Sequence, residues 1–94
     1  MYFVYIIYSL KLDNYYVGTT DNVEKRLQEH NLKVYADSFT CKGIPWELRF
    51  SYLCDKSETA YKLERFIKRM KSRKFIVKII EDKTILDDIC ENKL

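Results

Sequence analysis

Between Lys62 and Lys78 the chain carries eight basic residues and a single acid, Glu64. At helical spacing Glu64 falls one turn after Ala60, on the apolar arc of Ala60, Leu63, Ile67 and Met70, in a helix that Ser57 can cap. A carboxylate on such an arc is costly unless it is paired or holds a metal. Two partners fit. One is a neighbouring Lys or Arg, the commoner fate of such a residue. The other is a divalent cation such as Mg²⁺ or Mn²⁺; Mg²⁺ binds through one carboxylate, its own waters and a substrate phosphate.

Arg26 and His30 stand one helical turn apart. An Arg can grip a phosphate bidentately and offset charge that develops on its oxygens. A His titrates near pH 6.5 when unperturbed, so it can move protons at working pH. A lone His on a helix more often packs than reacts, and the adjacent Arg is what raises its interest. Tyr5 and Tyr16 lie in two neighbouring β-rich runs, where adjacent strands can bring both phenols to one side. Tyr is also simply a good strand residue. A phenol titrates near pH 10, so one that helps deprotonate water needs a cation or base beside it.

The elements that must position these groups are legible. Tyr2 to Ser9 and Tyr15 to Thr19 read as strands, joined through Leu10 to Asn14 as an antiparallel hairpin. Gly18, inside the second strand, marks a bulge or a close approach of another group. Asp21 with Glu24 has the form of a capping box opening a helix to about Asn31, with Val23, Leu27 and His30 on one face and Arg26 at its border. Leu32 to Pro45 has no period and reads as a long loop. Trp46 to Cys54 alternates, which places Trp46, Leu48, Phe50 and Tyr52 on one face of a half-buried strand. Ser72 can cap a third helix with Phe75, Ile76, Ile79 and Ile80 inward. From Thr84 the spacing to Asp87 predicts a short helical turn.

The expected fold is α/β of the α+β type: a small three-stranded mixed or antiparallel sheet flanked by helices, in the order β-β-α-β-α-α. Ninety-four residues support one core, so residues 1–82 read as the domain and 83–94 as a C-terminal tail. The start of the chain has no basic n-region or small-residue cleavage site, and its apolar run is too short to span a bilayer. Cys41, Cys54 and Cys90 are odd in number and widely spaced, which reads as reduced thiols in a cytoplasmic protein.

The net charge of +3 divides unevenly. The segment from Lys62 to Lys78 is +7, which leaves −4 for the rest of the chain. A basic block on an acidic body fits a polyanion partner and equally a solvated helix face. Lys42, Lys68, Arg69, Lys71, Arg73 and Lys74 are the candidate nucleic-acid contacts.

Phe3-Val4-Tyr5, Tyr16-Val17-Gly18, Thr20, Arg26, His30-Asn31, and then Ala60, Glu64, Ile67 and Lys68 form ordered blocks over most of the chain. In these the sequence resembles the GIY-YIG nuclease superfamily, and most closely its short stand-alone bacterial members, the excinuclease-subunit-C-like domains. The resemblance implies a three-stranded sheet with helices and metal-dependent hydrolysis of DNA phosphodiesters, of a repair or mobile-element type. It implies catalytic roles for Tyr5, Tyr16, Arg26 and His30, and Glu64 as metal ligand. Three positions depart from the pattern. Phe3 replaces a glycine. Thr19 stands where a tyrosine or lysine is usual, so that a hydroxyl or amine beside the site is expected to be missing. A late supporting asparagine has no match, Asn92 lying too far along. The competing reading is a nucleic-acid- or partner-binding module on the same fold without turnover. A homodimer would let a one-site enzyme reach both DNA strands.

Overall fold

A strand that is apolar on both faces belongs in the middle of a covered sheet. The computed structural model describes residues 1–32 and 39–94, and β1 (Tyr2–Ser9) takes that place in it. It pairs antiparallel with β2 (Asn14–Thr20) on one side and β3 (Trp46–Cys54) on the other, giving the order β2-β1-β3. The sheet is thus antiparallel throughout, and the α+β class is as expected. The helices are α1 (Val23–Asn31), α2 (Ser57–Met70), α3 (Arg73–Glu81) and α4 (Thr84–Asn92), with a short 3-10 helix at Phe39–Gly43.

Because side chains alternate along β1, its two faces feed two clusters. Val4 and Ile6 join Val17, Ala60, Leu63, Ile67, Ile79, Leu86 and Ile89 under α2, α3 and α4. Tyr5 and Ile7 join Trp46 on the other side, with Tyr16, Val23 and Leu27 packed around them. The second cluster is the smaller, and it contains both candidate tyrosines.

The expected single face of β3 is broken. Ile6 pairs with Phe50 but Ile7 pairs with Leu48, so Arg49 is an extra residue in a β-bulge. A one-residue insertion reverses the period-two pattern. Phe50 and Tyr52 therefore pack with Val4 and Ile6, while Trp46 turns to Tyr5 and Ile7. Leu48 is left 42% exposed. Met70, expected on the apolar arc of α2, is also exposed at the end of that helix.

Helix starts differ from expectation by single residues. Asn22, not Asp21, caps α1 by accepting from the Lys25 amide, because the Thr20 hydroxyl holds the Asn22 amide and fixes the turn one residue later. Ser57 and Thr84 are the first residues of their helices rather than caps. Asp82 instead accepts from the Thr84 amide and hydroxyl. Ser72 caps α3 as expected, accepting from the Phe75 amide. Of the expected loop Leu32 to Pro45, residues 33–38 lie outside the described residues. The remainder includes the 3-10 helix, seated by Ser9 Oγ donating to the Gly43 carbonyl and Trp46 Nε1 donating to that of Thr40.

Where a short turn is expected, Thr84–Asn92 is a nine-residue helix whose Leu86 is fully buried in the main cluster. Leu86→Ala should therefore cost about 2–5 kcal/mol, the range for emptying a buried leucine site. In thermal unfolding this lowers Tm by about 10 °C or more. An unchanged Tm would mean that α4 does not contribute to the core.

Candidate active site

Pairing of Tyr5 with Gly18 and of Ile7 with Tyr16 puts the phenols of Tyr5 and Tyr16 on one face, as the hairpin predicts. Gly18 is what lets Tyr5 lie across the sheet. A Cβ at that position would stand 2.4 Å from Tyr5 Oη, so the ring occupies the space that any other residue would fill.

α1 crosses this face and delivers His30 and Arg26. Tyr5 Oη and His30 Nε2 are 2.9 Å apart in a buried hydrogen bond. The imidazole also meets the edge of the Tyr16 ring, with centroids 5.4 Å apart. The Arg26 charge lies near enough to the Tyr5 phenol to oppose the rise in its pKa, and Arg26 pairs through Nε with Glu29 at 3.3 Å. Asn31, one residue beyond His30, clamps α1 to the end of β3. It donates from Nδ2 to the Trp46 carbonyl and accepts from the Trp46 amide, at 3.1 and 2.7 Å.

Glu64 comes from the other side of the sheet, on α2. The hydroxyl of Thr19 donates to its Oε1, and Lys68 Nζ lies 3.0 Å from its Oε2. The same ammonium stands 5.3 Å from the centre of the Tyr16 ring, so Lys68 links Glu64 to the tyrosine face around the free edge of β2. Tyr5 feels the charges of Tyr16, Arg26 and Glu64. The structure thus brings all five candidate residues into one neighbourhood.

Two side chains did not carry their full weight in the sequence. Thr19 does not leave a hydroxyl missing, because its own hydroxyl holds Glu64. Lys68, expected only as a nucleic-acid contact, is the counterion of Glu64, and their i, i+4 spacing was the available signal. Of the other basic candidates, Lys71 and Arg73 line a cleft with Lys68 beside β2. Arg73 is also bound at 2.8 Å to both the carbonyl and the carboxylate of Asp13 in the hairpin turn. Arg69 and Lys74 are exposed, and Lys42 is exposed on the 3-10 helix.

Burial pushes the Tyr5 phenol well above its ordinary range, with Tyr16 adding to the rise and Arg26 opposing it. Burial and then Arg26 push His30 below the ordinary histidine value of 6.5, so its neutral form is favoured. A histidine with a depressed folded pKa is protonated first in the unfolded chain, so stability rises with pH across its titration and is lost as pH falls below about 6.5. Denaturant unfolding at pH 7.5 and pH 5.5 should show that loss in the wild type, and His30→Gln should reduce the difference. An undiminished pH effect in the variant would assign it elsewhere.

Among the described residues no three His, Cys, Asp or Glu side chains converge as a preformed metal cage. The donor set at Glu64 nonetheless suits a hard cation. It is a single carboxylate, 22% exposed, held in place by a hydroxyl, and its second oxygen already accepts a cationic partner that is itself 47% exposed.

The fold and this cluster define a class: a small α+β domain with a phenol, imidazole, guanidinium and carboxylate gathered around the β1–β2 hairpin of an antiparallel sheet. Residues 1–81 match the model of the GIY-YIG catalytic domain, and the chain belongs to that family, which places it in a nuclease superfamily. It is similar to a UPF0213 protein of Syntrophus aciditrophicus (strain SB), with 40% identity over 55 residues. That match covers 58% of this chain and 63% of the relative. No solved structure matches the chain. Among the described residues no helix is long and apolar enough to cross a membrane.

Proposed function

We propose that this domain is a metal-dependent DNA endonuclease that hydrolyses phosphodiester bonds at the site formed by Tyr5, Tyr16, Arg26, His30 and Glu64. The observation that supports it most is the buried Tyr5–His30 hydrogen bond, 2.9 Å long and set beside Arg26. A pure binding surface has no use for a neutral imidazole wired to a phenol.

Glu64 would hold Mg²⁺ or Mn²⁺, and the bound cation supplies positive charge beside the scissile phosphate and makes water easier to deprotonate. The remaining roles fall to side chains. Arg26, 36% exposed, binds the non-bridging phosphate oxygens and offsets their developing charge. Tyr5 is too weak an acid to wait as a phenolate. It works instead as a relay: as the water oxygen bonds to phosphorus and the bond to the leaving sugar oxygen breaks, Tyr5 takes the water proton while its own hydroxyl proton passes to Nε2 of the neutral His30, and the departing oxygen is protonated from solvent. Tyr16 shields the imidazole and steers Lys68.

Incubation of supercoiled plasmid, flapped and branched DNA with the protein and Mg²⁺ or Mn²⁺, against an EDTA control, tests the reading. Cleavage that needs the metal supports it. Intact substrates at high protein concentration, with DNA still bound, would leave the binding module as the function.

A further inference from the structure

β2 is an edge strand, and between it and the junction of α2 with α3 runs an open cleft of about 390 Å³. The half-buried Ile76 supplies its accessible apolar part over the buried Ile67, Tyr15 and Tyr16 supply its rings, and the exposed Lys68 and Lys71 its charge. Aromatic rings beside an apolar side chain and ammonium groups are the chemistry that holds an unpaired base and its phosphate. The volume is that of a small-ligand site. A base stacked in a duplex has both faces covered, so an unpaired base is the one that can lay a face on these rings.

Tyr16 and Lys68 belong both to this cleft and to the candidate active site, so a strand lying in the cleft continues directly to Glu64. Lys71 adds a separate observation. It ends α2 with φ 47°, in the left-handed region that glycine normally fills at a helix end. A long cationic side chain is therefore held at the cleft in a backbone conformation that disfavours it, and strain of that kind concentrates at binding sites.

We propose that this cleft is a subsite for one unpaired nucleotide of DNA, its base against the apolar and tyrosine surface and its phosphate on Lys68 and Lys71. The proposal rests on the nuclease reading only for what happens at the adjoining phosphate, and it makes flapped or frayed DNA the preferred substrate class. Arg73 takes no direct part. It fixes the β1–β2 turn through Asp13 and so holds the cleft's β2 wall in place.

Fluorescence anisotropy in EDTA, with labelled flap DNA and blunt duplex of equal phosphate number, separates binding from cleavage. The wild type should bind the flap more tightly. Lys71→Gly should weaken flap binding by about 5-fold, with a smaller effect on the duplex, as expected for a lost local phosphate contact. The same variant should raise Tm by a few degrees, because glycine relieves the left-handed strain. Lys78→Gln, an exposed lysine of α3 outside the cleft, removes the same charge and should leave the flap preference unchanged. Equal binding of flap and duplex by the wild type, or equal loss from Lys71→Gly and Lys78→Gln, overturns the proposal. Flap preference without cleavage in Mg²⁺ would defeat the nuclease reading alone and leave the subsite standing.

Discussion

Under the nuclease function proposed above, Glu64→Gln is expected to leave a folded protein whose metal-dependent cleavage of DNA falls by two orders of magnitude or more. The amide can still accept from the Thr19 hydroxyl, so the contact between β2 and α2 survives the change. What disappears is the negative charge that pairs with Lys68. An ion pair exposed to this degree is worth at most about 1 kcal/mol, so Tm moves by a few degrees at most. The loss of a cation's charge at a reacting phosphate is far larger, several kcal/mol, and each 1.36 kcal/mol is roughly tenfold in rate. Timed cleavage of labelled DNA beside a thermal melt reads both quantities. Cleavage within a few-fold of wild type would remove Glu64 from the metal site.

Gly18→Ala produces the opposite pattern, a large loss of stability together with the loss of the site. The added methyl would stand 2.4 Å from Tyr5 Oη and 2.5 Å from Cζ, both in a ring that is 1% exposed. The ring cannot retreat freely, because Oη is bonded to His30 and its face is packed with Ile7 and Trp46. Overpacking of this kind costs about 1–3 kcal/mol or more. If the ring moves instead, the bond to His30 breaks and leaves a buried phenol or imidazole poorly satisfied, at roughly another 1–3 kcal/mol. A fall in Tm of about 10 °C or more is expected in a domain of this size. A variant as stable as wild type would show that Tyr5 has another place to lie.

Much of this arrangement is legible in the sequence because it follows from short periods. Two-residue alternation allows Tyr5 and Tyr16 to share a face, which the pairing of Tyr5 with Gly18 and Ile7 with Tyr16 then fixes, and 3.6-residue periodicity is enough to place His30 with Val23 and Leu27. Gly18 announces a close approach, although only the structure identifies the Tyr5 ring as the group that approaches. What the sequence conceals is non-local. Arg49 gives no local sign of being a bulge, because Trp46 to Tyr52 alternates cleanly, and the insertion is defined only by pairing with β1. Arg73 reads as one more basic residue until the hairpin turn, sixty residues earlier, is seen in its grip. Thr19 looks like a deficit when compared with a family pattern and becomes a positioning group once α2 lies over it. Asn31 belongs to a recognisable pair with His30, yet its bond to the Trp46 backbone is a tertiary fact.

The separation of the two faces of β1 also has a use in engineering. The cluster beneath α2, α3 and α4 carries most of the buried aliphatic residues, whereas the smaller cluster beneath α1 holds Tyr5 and Trp46, with Tyr16 packed against it. Most of the robustness thus lies on one side of a single strand and the alignment of the Tyr5–His30 pair on the other, with Glu64 alone among the five site residues coming from α2. A library that varies Ile79, Leu86 and Ile89 can search for hardier versions of the domain while every side chain under α1 keeps its place.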